Sequence, residues 1–261
     1  MSGSDLAGYP TFTLDGQTAL VTGAARGLGR AIALALANAG ADVALGLLDP
    51  SSAEDLEAEI RSMGRRSVRV PMDVRRLDQI RAAVDHVVDV FGRLDILVNN
   101  AGLGPANPAE EVNEADFDLT FDVNVKGLFF ASQAAGRVMI RQGHGRIINL
   151  SSQAGFIALP TESVYCISKA AVAHLARCLA VEWGGHGITV NAVAPTFIRT
   201  DGTAADLADP AFEAEVKERI AGVHRIGEPI DVAGAVVFLA SPAASLVTGT
   251  TLMVDGGWTA R

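Results

Sequence analysis

The sequence predicts an α/β fold: a single domain built on a doubly wound parallel sheet with helices on both faces. Three observations carry this. Short apolar runs of strand length alternate with amphipathic stretches of helix length along nearly the whole chain. The 261 residues suit one large domain, and no internal repeat or linker interrupts them. The first apolar run opens onto a glycine-rich turn that feeds an alanine- and leucine-rich stretch, the strand–turn–helix unit found at the ligand crevice of such sheets.

The elements follow in order. Thr18-Ala19-Leu20-Val21 is the first strand and ends at Thr22-Gly23-Ala24-Ala25-Arg26-Gly27-Leu28-Gly29. Residues 30–38 form a helix that stops at Gly40. Residues 42–48 read as the second buried strand. Residues 51–63 form an amphipathic helix, with Ser51 or Ser52 as N-cap and Glu54 in the first turn, where the helix dipole favours an acid. Val68-Arg69-Val70 is the third strand, followed by Asp73. Residues 78–91 set Ile80, Val84, Val87 and Val88 at helical spacing. Ile96-Leu97-Val98 is the fourth strand. A long helix over 115–142, a strand over 146–150, a helix over 163–183 and a strand over 189–193 continue the alternation. A helix over 231–240 and a strand over 251–254 close it. Residues 194–227 are rich in Ala, Asp, Thr and Gly, with weak helical patterning over 210–220. An insertion of this length reads either as a lid over the site, at about 195–227, or as a plain surface excursion. Residues 1–13 read as a flexible N-terminal segment and 14–261 as the domain.

Charge and cysteine usage narrow the partners. A net charge of -9 offers nothing to a polyanion, so no nucleic acid and no anionic membrane is expected as a partner. Cys166 and Cys178 fall on one expected helix, about 18 Å apart. That is beyond the ~7 Å a disulfide tolerates, and two free thiols suit a reducing compartment. Residues 1–10 lack a basic start and an apolar run, and no apolar stretch reaches the ~20 residues of a membrane span. The expectation is a cytoplasmic protein. His86, His144, His174, His186 and His224 show no metal-ligand spacing, so no metal site is expected.

Chemistry gathers at the carboxyl ends of the strands, where parallel sheets hold their ligands. Gly23, Gly27 and Gly29 allow a tight turn and close backbone approach, and the following helix N-terminus attracts a pyrophosphate. Asn99-Asn100-Ala101-Gly102 ends the fourth strand, and Asp73 follows the third, as a ligand or as a turn aspartate. Ser152 closes the fifth strand, with Ser151 as its rival. Tyr165 and Lys169, four apart, share a helix face, so an ammonium should stand beside a phenol. A positive neighbour lowers a phenol's pKa, and about 3 units would bring Tyr165 near neutrality as a general acid/base.

These residues together resemble the short-chain dehydrogenase/reductase family, and look most like its bacterial sugar and polyol dehydrogenases. The ordered set runs Thr22-Gly23-x3-Gly27-x-Gly29, Asp73, Asn99-Asn100-Ala101-Gly102, Asn124, Ser152, Tyr165-x3-Lys169, and Pro195 with Thr200, covering about 14–258. The resemblance implies a Rossmann fold, a homotetramer, and hydride transfer between nicotinamide and a small secondary alcohol or ketone. It implies that Tyr165 moves the proton, Ser152 holds the substrate oxygen, Lys169 tunes Tyr165 and binds ribose, and Asn124 anchors a water relay. Its cofactor contacts fall on Gly23, Arg26, Gly27, Leu28, Gly29, Asp49, Asp73, Val74, Asn100, Ala101, Gly102, Tyr165, Lys169, Pro195, Ile198 and Thr200. A locally satisfied helix asparagine is the plain alternative for Asn124.

Cofactor and substrate are where the chain departs from the family pattern. The position that binds the adenine ribose in NAD enzymes falls on Leu47, followed by Leu48, with an acid arriving only at Asp49. Arg26 is placed to pair with a 2′-phosphate, whereas Asp49 would repel one if it faces inward. NAD is the expectation, with NADP left open. Family analogy places Ser152, Gln153, Glu162, Tyr165 and Phe197 at the substrate. Polar Gln153 and Glu162 favour a polyol, sugar or sugar acid, unless Glu162 faces solvent. The rival reactions are reduction of a 3-oxoacyl-[acyl-carrier-protein], with Arg137, Arg141 and Arg146 as docking cations, and a non-catalytic dinucleotide-binding regulator.

Overall fold

The computed structural model describes residues 9–260. Seven parallel strands form one sheet in the order β3-β2-β1-β4-β5-β6-β7. They are β1 (Thr18–Thr22), β2 (Asp42–Leu47), β3 (Ser67–Pro71), β4 (Ile96–Asn99), β5 (Gly145–Leu150), β6 (Ile188–Pro195) and β7 (Thr251–Val254). The chain lays β2 and β3 on one side of β1, then returns to place β4 on the other. The crevice of the sheet therefore opens between the carboxyl ends of β1 and β4.

Eight α-helices cover the described sheet: α1 (Gly27–Asn38), α2 (Glu54–Ser62), α3 (Leu77–Phe91), α4 (Glu114–Phe121), α5 (Leu128–Gln142), α6 (Ser163–Trp183), α7 (Pro210–Arg219) and α8 (Pro229–Ala240). Strand alternation explains the layers. Ile148 packs with α1, α2 and α8, while its neighbour Ile147 packs with α3, α5 and α6. Both cores are mainly aliphatic, and the central strands are buried on both faces, as an all-parallel sheet requires. The stretch Ser163–His186 is long and apolar enough by composition to cross a membrane. Here one face of α6, with Ala176, Leu179 and Ala180, is built into the second core.

Element boundaries move where local chemistry decides them. α1 starts at Gly27, inside the glycine turn, rather than at residue 30. The second helix is capped by neither Ser51 nor Ser52: a 3₁₀ turn, Pro50–Ala53, precedes α2, and Asp49 caps it by accepting from the Ser51 N–H. The helix expected over 115–142 is interrupted by a π turn, Asp122–Gly127. α8 begins earlier than expected, at Pro229, behind a capping box of Glu228 and Asp231. At the N-terminal segment, residues 1–8 lie outside the described part, but Thr11 and Phe12 are docked. The Thr11 carbonyl accepts from the Ala243 N–H at 3.2 Å, and the Phe12 ring packs tilted against Phe238, centroids 6.3 Å apart.

Residues 195–227 fold into a small subassembly. Leu207, Val216, Ile220, Ile226 and Trp258 share an apolar cluster with Ile157, Leu159, Phe197 and Phe212. Arg199 spans α7 and the start of α8 through Glu213 at 2.9 Å and Glu228 at 3.5 Å. The excursion has its own core and sits against the loop that precedes α6.

Candidate active site

The glycine turn forms one wall of the crevice. The Gly23 and Ala24 N–H groups donate to the Gly46 carbonyl at 2.8 and 3.4 Å, tying the turn to β2. Gly23 and Gly27 take φ of 66° and 54°, a region glycine enters freely. A Cβ on Gly29 would lie 2.2 Å from the Gly23 carbonyl and 2.6 Å from Asn100 Nδ2, so no other residue lets α1 approach the turn this closely. The α1 N-cap, Arg26, makes no side-chain cap. The first-turn N–H groups therefore keep their donors, and their positive dipole end, for an anion. A cradle that a Cβ would fill and an uncapped helix N-terminus fit the pyrophosphate of a dinucleotide.

The end of β4 closes the floor. The N–H groups of Asn100 and Ala101 both donate to Thr22 Oγ1 at 3.0 Å, and Asn100 Nδ2 donates to the carbonyls of Thr22 and Gly23. Asp73 is clamped by the Arg75 guanidinium, at 2.6 Å for the shortest contact, and that bond holds its carboxyl below the usual range. Val74 is buried, and its carbonyl lies 2.5 Å from where a Cβ on Gly127 would stand. Pro195 pairs with Val254 in the sheet, and Ile198 bridges to Gly227. Thr200 then reaches the glycine turn, its Cβ 3.5 Å from the position of a Cβ on Gly27.

At the mouth, β5 and α6 bring the chemical groups together. Ser152, two residues past β5, is the N-cap of a 3₁₀ turn, Gln153–Gly155; its Oγ accepts from the Ala154 N–H at 3.1 Å, and it stands near enough to the Tyr165 phenol to favour the ionised form. Ser151 is buried and donates to the Lys169 carbonyl at 2.8 Å, which removes it as the rival. Lys169 Nζ lies 5.5 Å from the Tyr165 ring centroid and donates to the Leu150 carbonyl at 2.8 Å. Asn124, on the π turn, is fully engaged. Its Oδ1 accepts from the Leu103 N–H, and its Nδ2 donates to the Leu103 carbonyl and to Ser168 Oγ. π turns of this kind concentrate at functional sites. Ser168 Oγ in turn donates to the Tyr165 carbonyl at 2.7 Å, so the π turn braces the helix that carries the phenol.

Two residues here were not singled out from the sequence. Ser168 is one, although it lies between Tyr165 and Lys169. Gly104 is the other: a Cβ there would meet Tyr165 Cδ2 at 2.6 Å. Its only sequence signal was a second glycine two places after Gly102.

One expectation is overturned. In this state Lys169 does not lower the pKa of Tyr165. Burial pushes the phenol up to about 12, and the Glu162 carboxylate adds to this; only Ser152 opposes it. Burial also pulls the Lys169 ammonium down to about 8. The spacing argument placed an ammonium beside the phenol, and it is there, but it donates to the Leu150 carbonyl, and desolvation outweighs attraction.

The substrate candidates divide. Gln153 is buried with its Oε1 unpartnered. Glu162 is half-buried rather than solvent-facing, and burial raises its carboxyl. Phe197 is engaged in the lid core, stacked on Trp258 at 5.7 Å and edge-on to Phe212 at 5.6 Å, so it anchors the lid. Asp49 is also occupied: its Oδ1 accepts from the Ser51 N–H at 2.9 Å and hydroxyl at 2.7 Å. No group of three or more His, Cys, Asp or Glu suited to a metal occurs among the described residues.

Comparison with known proteins agrees with this geometry. A family model described as "Enoyl-(Acyl carrier protein) reductase" matches residues 23–259. The chain is 44% identical over 255 residues to the 2-dehydro-3-deoxy-D-gluconate 5-dehydrogenase of Escherichia coli strain K12, covering 96% of this chain and 98% of that one. It is 42% identical over 245 residues to a 3-oxoacyl-[acyl-carrier-protein] reductase of Staphylococcus aureus, covering 92% and 97%. The crystal structure of a gluconate 5-dehydrogenase from Burkholderia cenocepacia, in complex with NADP and tartrate, superposes with a TM-score of 0.93 at 37% identity, covering 97% of this chain and 98% of that one.

Proposed function

The chain belongs to the short-chain dehydrogenase/reductase family, and from that premise we propose that it is an NAD(P)-dependent oxidoreductase acting on a secondary alcohol or ketone of a polyol, sugar or sugar acid. The observation that carries this is the meeting of Ser152, Tyr165 and Lys169 against the loop that follows β4, at Gly102 and Gly104. When bound, the nicotinamide supplies or accepts the hydride. The chain's own residues do the rest. Tyr165, neutral at physiological pH, gives its proton to the substrate oxygen in reduction and takes it back in oxidation. Ser152 holds that oxygen with its hydroxyl. Lys169 supplies positive charge beneath the ring and contacts the ribose. Asn124 fixes the π turn and Ser168, and the proton reaches solvent past it through Lys169. Gly23, Gly27, Leu28 and Gly29 seat the pyrophosphate, Asp73 and Val74 the adenine. Asn100, Ala101, Gly102, Pro195, Ile198 and Thr200 seat the nicotinamide end.

Carrier-bound substrates fit less well, although identity alone does not separate the two reactions. Of the three docking arginines considered, Arg146 is buried in β5. Arg137 and Arg141 lie in the last part of α5, which leads into the amino end of β5, at the sheet edge opposite the crevice. Purified enzyme given each nicotinamide cofactor with polyols, sugar acids and a β-ketoacyl thioester is expected to turn over the hydroxylated compounds. Turnover of the thioester alone would reverse the assignment.

Both NAD and NADP enter, in this reading. Leu47 is buried and Leu48 exposed, so the usual ribose-binding acid is missing, and Asp49 is bound to Ser51. Arg26 is exposed in the glycine turn, which Gly23 and Ala24 tie to β2, and it makes no ion pair among the described residues. Arg26→Ala is expected to raise the KM for NADP by about tenfold, and the KM for NAD by less than about threefold, since a charged hydrogen bond is worth about 1.5–3 kcal/mol. Equal effects on both cofactors would remove Arg26 from phosphate recognition.

A further inference from the structure

Three consecutive residues of the loop after β4 lie in turn against Lys169, Asn124 and Tyr165. A Cβ on Gly102 would stand 3.1 Å from Lys169 Nζ. Leu103 is held at both backbone groups by Asn124: its N–H donates to Oδ1 at 2.9 Å, and its carbonyl accepts from Nδ2 at 2.7 Å. A Cβ on Gly104 would stand 2.6 Å from Tyr165 Cδ2, 2.9 Å from its Cβ and 3.0 Å from its Cγ. Unbonded carbons pack at about 3.5–4.0 Å, so the bare loop backbone already occupies the space beside the ring. Any side chain at 104 would have to move the phenol or the loop.

The loop is stiff and is fastened again beyond Gly104. Gly104 precedes Pro105 and Asn107 precedes Pro108, and a following proline disfavours helical backbone at both. The Asn107 N–H donates to the Thr161 carbonyl at 2.8 Å, and Asn107 Nδ2 donates to Asp116 Oδ2, on α4, at 3.2 Å. Thr161 lies two residues before α6 and takes a φ of 65°. A β-branched residue enters that region only where its surroundings hold it there. The loop therefore ends on the turn that leads into the helix of Tyr165, with Gly104 between its two attachments.

We infer that residues 102–107 form a strap that places the Tyr165 phenol, with Gly104 as the positioning residue and the bond from Asn107 to Thr161 as its pin. This rests on Tyr165 as the proton donor and acceptor of the proposed reaction. Asn124 holds the strap at Leu103, and the pin holds it at the entry to α6. Between them the Gly104 backbone bears on the ring and its stem. A phenol moved off this support misses the substrate oxygen, so the strap acts on rate rather than on cofactor affinity.

Gly104→Ala is expected to lower kcat by at least about tenfold, since a displacement of about 1 Å can cost about 10²-fold. Affinity for NADH and NADPH is expected to stay within about threefold. The chain has two tyrosines, Tyr9 and Tyr165, so tyrosine labelled with ¹³C at Cζ gives one resonance for each. The Tyr165 resonance is expected to move in Gly104→Ala while that of Tyr9 holds. The pin is tested at Thr161. Thr161→Gly keeps the carbonyl and enters the same φ freely, so it is expected to match the wild type. Thr161→Pro cannot reach that φ and is expected to reproduce the losses of Gly104→Ala, which covers the case in which Gly104→Ala does not fold. An unmoved Tyr165 resonance, a kcat within about threefold of the wild type, or a loss of cofactor affinity as large as the loss of kcat overturns the inference. So does a Thr161→Pro variant that behaves as Thr161→Gly. If Tyr165→Phe keeps its rate, the proposed reaction fails, while the resonance alone still decides whether the strap places the phenol.

Discussion

Tyr165→Phe is expected to lower kcat/KM by about 10²–10⁴-fold, the usual loss when a general acid/base is removed, while leaving affinity for the reduced cofactor within about threefold. The substitution removes one oxygen and keeps the ring. That ring fills the space that Gly104 leaves open, where a Cβ would stand 2.6 Å from Tyr165 Cδ2, so the packing survives. What disappears is the hydroxyl that meets Ser152. The glycine turn, Asp73 and the lid contact at Thr200 are untouched, which is why cofactor affinity persists. Steady-state rates and a fluorescence titration with NADH and NADPH check the two halves separately. A variant retaining more than about a tenth of the rate would remove Tyr165 from proton transfer. A variant that loses rate and cofactor affinity together would show that the phenol had been holding the fold of the site.

The fold was legible because its signals are local. Each strand is a short aliphatic run, and Gly23 and Gly40 mark turns that can be found without tertiary knowledge. That Tyr165 and Lys169 share a helix face was legible from their spacing, and the proximity of ammonium and ring follows from it. Their electrostatics were not. Spacing placed Lys169 beside the phenol, but which acceptor the ammonium chooses depends on where β5 ends, and the Leu150 carbonyl is offered by a strand nineteen residues away. Burial, which pushes Tyr165 and Lys169 in unfavourable directions, is likewise a property of the packed molecule. Asn124 shows the same limit. The sequence suggested a helix position but not a π turn, and the turn exists because Asn124 must reach Leu103 and Ser168 at once. The Asp49 side chain was not legible either: Ser51, two residues on, donates to its carboxylate and makes it the cap of a 3₁₀ turn.

Lys169→Met is expected to lose turnover and to change how stability depends on pH. Lys169 is 5% exposed, and burial sets its pKa at about 8 against 10.5 for an ordinary lysine. The folded state therefore binds the proton more weakly than the unfolded chain does. The sign follows: stability associated with this group is present above pH 10.5 and is lost as pH falls toward 8. The full difference is about 3 kcal/mol, at 1.36 kcal/mol per pKa unit. Tyr165 does not interfere in that window, because its raised value gives stability that is lost only between 10 and about 12. Wild-type unfolding free energy, measured by urea titration, should therefore climb between pH 8 and 10 relative to the variant. At pH 7 methionine relieves the buried charge but leaves the Leu150 carbonyl without its donor, a loss of about 1–3 kcal/mol, so the net change there is small. Parallel stability curves from pH 8 to 10 would show that the ammonium is solvated rather than buried. Diverging curves with lost activity would identify Lys169 as a charge the fold holds at a cost for its use at the phenol, in the way functional sites retain groups that destabilise the resting molecule.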